Sequence, residues 1–177
     1  MTAYPKALLD RAAGIRLLAL DVDGVLTDGK LYFGATGESL KSFSTLDGLG
    51  IKLLQRNDIE VVIITARQSS IVKQRAAELG VDGVLQGRED KRQALQELLD
   101  ERQLQTRQAA YLGDDLPDLA AIIAAGLGIA PATGNAAVRE RADWVTTAGG
   151  GAGAVREVAE LLLAAQGKLD AIIASYQ

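Results

Sequence analysis

The chain has 177 residues, 48% of them hydrophobic and 24% charged, which is typical of one globular domain covering residues 1–177. Its net charge of −4 argues against nucleic acid as a partner. Because it has no Cys and no His, disulfides, thiolate nucleophiles, zinc–sulfur sites and histidine acid–base chemistry are excluded. Any metal should therefore be a hard cation bound by oxygen, with Mg²⁺ as the first choice.

The first fourteen residues contain no apolar stretch typical of a signal peptide. The apolar runs at 15–20 and 60–64 are too short to span a bilayer. These features predict a cytoplasmic protein that does not contact a membrane.

Short apolar runs alternate with longer helical patterns. The predicted buried parallel strands are residues 15–20, 59–65, 83–86, 109–113 and 127–130. The predicted helices are residues 49–56, 69–79, 91–103, 116–125, 136–141 and 154–165. This alternation predicts a three-layer α/β fold with a Rossmann-like parallel sheet and right-handed crossovers.

Two segments do not follow the alternation. Residues 30–43, with Gly34-Ala35-Thr36-Gly37 at their centre, predict a β-hairpin inserted after the first strand. An isolated ribbon is marginal in water, so its apolar residues should lie away from the main sheet and need another surface: Leu31, Phe33, Leu40 and Phe43. The tail at 166–177 either reaches a neighbouring site or frays.

A first acidic motif, DVDGVLTDG at residues 21–29, follows the first strand. Ligand sites in open α/β sheets lie at the carboxyl ends of strands, and Asp21 and Asp23 should project to the same side of an extended segment. Such carboxylates can bind a hard cation, and one can attack while the other moves protons. Gly24 lets the backbone turn its N–H groups toward an anion. The alternative is an acidic turn that only closes the strand.

A second acidic motif, Asp114, Asp115 and Asp118, follows the strand at 109–113. Three neighbouring acids repel one another unless a positive group lies among them. Asp115 also fits a helix N-cap, which would account for one of the three.

Two further positions suit an anion. Thr65-Ala66-Arg67 offers a hydroxyl and a backbone N–H at a helix N-terminus, although Thr is also a common N-cap. Lys91 opens a predicted helix and, considered alone, would be an ordinary solvated lysine.

Together, the acid pair, hydroxyl, lysine and acid cluster resemble the haloacid dehalogenase superfamily of phosphotransferases, whose first motif, Asp-x-Asp-x-Thr/Val, reads DVDGV here. Over nearly the whole chain, the segments DVDGVLTDG, FSTLDGLGIK, VLQGREDK, YLGDDLPDL and GAVREV…LLLAAQGKLD are similar to the 3-deoxy-D-manno-octulosonate 8-phosphate phosphatases.

The resemblance implies that Asp21 is the nucleophile, forming an aspartyl-phosphate, and that Asp23 is the general acid and base. Mg²⁺ would be held by the Asp21 carboxylate, the Asp23 main-chain carbonyl and Asp114, with Asp115 and Asp118 in support.

The same resemblance implies that Thr65 and Lys91 hold the phosphoryl oxygens of a sugar phosphate, near Gly24, Ala66 and Arg67.

Three positions depart from the family pattern. Many relatives have Gly at Ala66, and the added methyl group should be tolerated. Many have Arg at Leu46 and at Ala152, so this chain lacks two possible anion contacts. These departures concern the sugar rather than the phosphatase residues.

The segments between Asp23, Thr65 and Lys91 hold only the predicted hairpin, helices and strands, so no cap domain fits. A lone open site would expose the aspartyl-phosphate. We therefore predict that subunits complete each other's sites, and the resemblance implies a homotetramer in which four hairpins meet around an axis.

The predicted function is hydrolysis of 3-deoxy-D-manno-octulosonate 8-phosphate in lipopolysaccharide precursor synthesis. The alternatives are a phosphatase for a related nine-carbon sugar acid 9-phosphate and a non-catalytic oligomerisation domain of the same fold. Retention of Asp21, Asp23, Lys91 and Asp114 argues against the second alternative.

Overall fold

The computed structural model describes residues 4–177. Its strands are, in chain order, β1 (Leu17–Leu20), β2 (Tyr32–Gly34), β3 (Gly37–Leu40), β4 (Glu60–Thr65), β5 (Gly83–Gln86), β6 (Ala109–Leu112), β7 (Leu127–Ala130) and β8 (Trp144–Val145). Its α-helices are α1 (Lys6–Ala12), α2 (Thr45–Gln55), α3 (Ser70–Leu79), α4 (Lys91–Glu101), α5 (Leu116–Ala124), α6 (Ala136–Arg139), α7 (Ala154–Ala165) and α8 (Leu169–Ala174). None of the helices between residues 4 and 177 has the length and apolar character that a membrane crossing requires.

Six strands form one parallel sheet in the order β5-β4-β1-β6-β7-β8. At the end of β1, Leu20 lies opposite Ile63 of β4 on one side and Leu112 of β6 on the other. The chain winds from β1 outward to β5 and then crosses to β6, so the winding direction changes at β1. The carboxyl ends of β4, β1 and β6 therefore frame the crevice where such sheets bind ligands.

Helices cover both faces of the sheet, and β1 is buried along its whole length. Its side chains alternate between two aliphatic clusters, with Leu18 and Leu20 on the face of α1, α2 and α7 and with Leu17 and Ala19 on the face of α4 and α5. Burial on both faces explains why the strand is apolar throughout.

The predicted three-layer fold with a hairpin after β1 and no cap domain is confirmed. The helix predicted at 49–56 begins earlier, at Thr45, because Ser44 caps it by accepting a hydrogen bond from the Leu46 N–H at 3.2 Å. The sequence reading missed α1, β8 and α8, which are short and lack a clear apolar period.

The hairpin β2–β3 forms a separate two-stranded sheet. Its apolar side chains Leu31, Phe33 and Leu40 are exposed as predicted. The prediction was wrong for Phe43, which packs against the main core with the Arg75 guanidinium 5.8 Å from its ring centre.

Candidate active site

Asp21 lies directly after β1, where its N–H still donates to the Leu112 carbonyl of β6 at 3.0 Å. The chain then turns sharply at Gly24, whose φ is +95°. A Cβ on Gly24 would lie 2.0 Å from Oδ2 of Asp114. Glycine is therefore required for the first acidic motif to approach the second so closely.

Lys91, the first residue of α4, is not the solvated lysine that its sequence context alone would suggest. Its side chain is 4% exposed, and its Nζ lies 2.7 Å from Oδ1 of Asp21 and 2.6 Å from Oδ1 of Asp118. Burial, with the charge of Asp118 adding to it, raises the pKa of Asp21 to about 7 although Lys91 opposes the shift. The site thus contains more negative charge than one lysine offsets.

Asp118 uses both carboxylate oxygens in hydrogen bonds. Oδ1 accepts from Lys91 and from the Tyr111 hydroxyl at 2.8 Å. Oδ2 accepts from the N–H groups of Asp114 and Asp115 at 3.1 and 3.3 Å. Asp115 and Asp118 also form a capping box at the start of α5, so capping accounts for two acids of the second motif rather than one.

Asp114 is the acid of this motif left for a ligand, because no other residue between 4 and 177 donates a hydrogen bond to its carboxylate. Burial, then the charges of Asp118 and Asp115, raise its pKa to about 7. One carboxylate oxygen each of Asp21, Asp114 and Asp118 lies within 4.8 Å of the others. An all-oxygen, electron-rich group of this kind fits Mg²⁺, and Asp118, already hydrogen-bonded, fits a supporting role.

Thr65 ends β4 beside β1 and is buried. Ser69, not Thr65, caps α3, so the interpretation of Thr65 as an N-cap is wrong. Its Oγ1 accepts only a long hydrogen bond, 3.4 Å, from the Arg67 N–H. Ala66 is half-buried between them, and the Arg67 side chain points toward Asp23, with Nε 3.5 Å from Oδ2.

The structure adds two site residues that sequence reasoning missed, Glu38 in β3 and Lys41 just after it. The Lys41 Nζ contacts Oδ1 of Asp23 and lies 3.0 Å from Oε1 of Glu38. Glu38 also accepts a hydrogen bond from the Ser69 hydroxyl. Burial raises the pKa of Glu38, but the contacts with Ser69 and Lys41 outweigh burial and hold this pKa below its ordinary value. Charged residues are common in hairpins, and no motif marked these two.

The site consists of two groups of charged side chains. The inner group lies at the strand ends and comprises Asp21, Lys91, Asp114 and Asp118. The outer group joins the first motif to the hairpin and comprises Asp23, Glu38, Lys41 and Arg67.

Known proteins are similar to this chain in sequence and architecture. A family model for haloacid dehalogenase-like hydrolases matches residues 83–156. The 3-deoxy-D-manno-octulosonate 8-phosphate phosphatase KdsC of Escherichia coli K12 is 47% identical over 163 residues, which cover 92% of this chain and 87% of that protein. The chain therefore belongs to this phosphatase family.

Solved structures agree with this assignment. The phosphatase of the same name from Moraxella catarrhalis, in complex with a magnesium ion, a phosphate ion and a KDO molecule, has a TM-score of 0.96 and 43% identity over 98% of this chain and all (100%) of that one. The enzyme from Yersinia pestis has a TM-score of 0.91 and 46% identity, covering 93% of this chain and 89% of that one. The predicted family, and with it the class of phosphoric monoester hydrolase, is confirmed. The roles of individual site residues stay predictions.

Proposed function

We propose that this protein is a magnesium-dependent phosphatase that hydrolyses 3-deoxy-D-manno-octulosonate 8-phosphate to the free sugar acid and phosphate. The observation that carries the proposal is the inner group, in which a buried lysine and three aspartates meet at the switch point of the sheet. Similarity to phosphatases of this specificity over most of the chain supports the substrate.

In the proposed first step, a carboxylate oxygen of Asp21 attacks phosphorus while the bond from phosphorus to the sugar oxygen breaks. Asp23 gives its proton to the departing alkoxide. Lys91 and Thr65 hold the phosphoryl oxygens, and Lys91 also keeps Asp21 oriented by the 2.7 Å contact. Gly24, Ala66 and Arg67 would lie around the phosphoryl group.

In the second step, Asp23 takes a proton from water, and the resulting nucleophile displaces Asp21 from phosphorus. Asp21, the Asp23 carbonyl and Asp114 would hold Mg²⁺, while Asp118 fixes Lys91 and the start of α5. The cation supplies positive charge against the phosphoryl oxygens as negative charge moves during transfer. A non-catalytic domain would have no need to bury Lys91 between two carboxylates.

The substrate assignment is tested by phosphate release over a panel of sugar phosphates in the presence of Mg²⁺. We expect the octulosonate 8-phosphate to exceed hexose phosphates in kcat/KM at least tenfold, or about 1.4 kcal/mol of transition-state discrimination. If the protein prefers a nine-carbon sugar acid 9-phosphate, the proposed substrate is wrong but the proposed mechanism still holds. Equal rates across the panel would leave a general phosphatase.

Leu46 and Ala152, the two positions where the resemblance implies arginine in many relatives, line one surface cleft. If both arginines contact the sugar acid in relatives, the variants Leu46→Arg and Ala152→Arg should lower KM for the octulosonate without changing kcat. An unchanged KM in both would show that this cleft does not bind the substrate.

We also propose a homotetramer acting in the cytoplasm, with neighbouring subunits covering each site. The support is the hairpin, where Phe33 is 65% exposed with Leu31, Tyr32 and Leu40 beside it. Exposed apolar side chains that are grouped in this way are expected to be covered by another protein surface. Light scattering should give four chains for the native protein and fewer for Phe33→Ser, and a fully active native monomer would contradict the shared site.

A further inference from the structure

Lys41 is among the least exposed charged side chains of the protein, although it directly follows an exposed hairpin strand. Its side chain is 1% exposed, and its Nζ lies between the carboxylates of Asp23 and Glu38. A buried lysine is costly unless it is paired. A hairpin that served only to bring subunits together would not require this cost.

The surroundings of Asp23 give Lys41 a specific task. Among residues 4–177, the other cation near Asp23 is Arg67, whose side chain is 44% exposed and whose Nε lies 3.5 Å from Oδ2 of Asp23. Lys41 in turn is fixed by Glu38, whose second oxygen accepts from Ser69 at the N-cap of α3. The Asp23 carboxylate is therefore held through a chain of partly buried contacts that begins at the N-cap of α3 in the main domain.

We propose that Lys41 is a positioning residue for the leaving-group proton transfer: it holds Asp23 so that its proton reaches the departing oxygen as the phosphorus–oxygen bond breaks. The inference rests on the proposed acid role of Asp23. Glu38 serves by keeping Lys41 in place. The hairpin thus takes part in the chemistry of its own subunit.

The test compares phenyl phosphate with p-nitrophenyl phosphate. The two esters are similar in size and carry no sugar, but phenolate needs protonation to leave far more than nitrophenolate does. The ratio of their kcat/KM values measures the assistance from Asp23. Because both values scale with the fraction of folded enzyme, the ratio is independent of any loss of stability.

In Lys41→Met we expect the ratio of nitrophenyl to phenyl kcat/KM to rise at least about tenfold over the native protein, with partial return in Lys41→Arg. Glu38→Gln should give a smaller rise. The matched control is Lys30→Met at the start of the hairpin, where the lysine is 72% exposed and forms an ion pair with Asp28, and its ratio should not change.

Asp23→Asn tests the proposed acid role of Asp23 separately from the role of Lys41. If its ratio rises while those of Lys41→Met and Glu38→Gln stay native, the role of Lys41 is wrong and the proposed function stands. If Asp23→Asn also keeps the native ratio, Asp23 is not the acid, and both the proposed mechanism and the role of Lys41 are wrong.

Discussion

Each of the two groups of charged side chains holds one aspartate of the first motif, Asp21 in the inner group and Asp23 in the outer group. The contacts that hold these two aspartates differ. Asp21 is 5% exposed, continues the ladder between β1 and β6, and is held by a lysine from the main domain. Asp23 has a more exposed side chain and is held by Lys41 after the inserted hairpin. The proposed nucleophile is thus placed by the parallel sheet, and the proposed acid is placed by the inserted hairpin. Substitutions in the two groups should therefore damage different steps.

The largest effect is expected from Asp21→Asn. An amide does not attack phosphorus and offers less charge to a cation, so kcat/KM should fall at least a thousandfold, or about 4 kcal/mol. The fold should survive, because burial already disfavours the charged form of Asp21 and Lys91 keeps Asp118 as its partner. Turnover and thermal unfolding measured on the same sample check both parts. Substantial activity would overturn the proposed nucleophile.

A second large effect concerns pH and the cation. The pKa values of Asp21 and Asp114 are both raised to about 7, so below that pH protons occupy the oxygens that Mg²⁺ needs. Affinity for Mg²⁺ should fall about tenfold to a hundredfold from pH 8 to pH 6 and level off above pH 8. Calorimetry at pH 7 in two buffers of different ionisation enthalpy should show protons released on binding.

Asp114→Asn is the matched variant for this experiment. It removes one proposed titrating ligand, so Mg²⁺ should bind at least tenfold more weakly at high pH, about 1.4 kcal/mol, and release fewer protons at pH 7. Unchanged affinity would remove Asp114 from the cation site. Substitution of the outer carboxylate Glu38 should leave the affinity for Mg²⁺ unchanged, since Glu38 does not belong to the cluster of Asp21, Asp114 and Asp118.

The two groups also differ in how far the sequence predicts them. The inner group could be found because a parallel sheet brings its strand ends together, so that acids after β1 and β6 must meet. Lys91 could be placed only by its order among the motifs, since helix starts are usually solvated. Its burial depends on the tertiary contact with Asp118.

The outer group could not be predicted in this way. The direction of a hairpin relative to the sheet is set by long-range contacts such as the one between Glu38 and Ser69. The sequence showed the hairpin's apolar residues and suggested a surface for assembly, but it did not show that Lys41 turns inward. Phe43 was misplaced for the same reason, because its packing against the core depends on where the hairpin returns.

The smallest effect is expected within the inner group, from the variant Tyr111→Phe. Tyr111 is fully buried in β6 and donates to Oδ1 of Asp118, the oxygen that also pairs with Lys91. Tyr111→Phe keeps the ring and removes only this donor. Since Lys91 still satisfies Oδ1, unfolding free energy should fall by about 1–2 kcal/mol. Activity should fall only a few-fold, because Asp118 is proposed to position Lys91 rather than to bind the substrate.

Denaturant unfolding and steady-state kinetics on Tyr111→Phe check these values. A few-fold loss should appear in KM, since Lys91 is proposed to hold the phosphoryl oxygens in the ground state as well as during transfer. The ratio of nitrophenyl to phenyl turnover should stay native, because Asp23 and its hairpin contacts are untouched. A raised ratio in this variant would show that the inner and outer groups are coupled. The proposal that the sheet places the nucleophile and the hairpin independently places the acid would then be wrong.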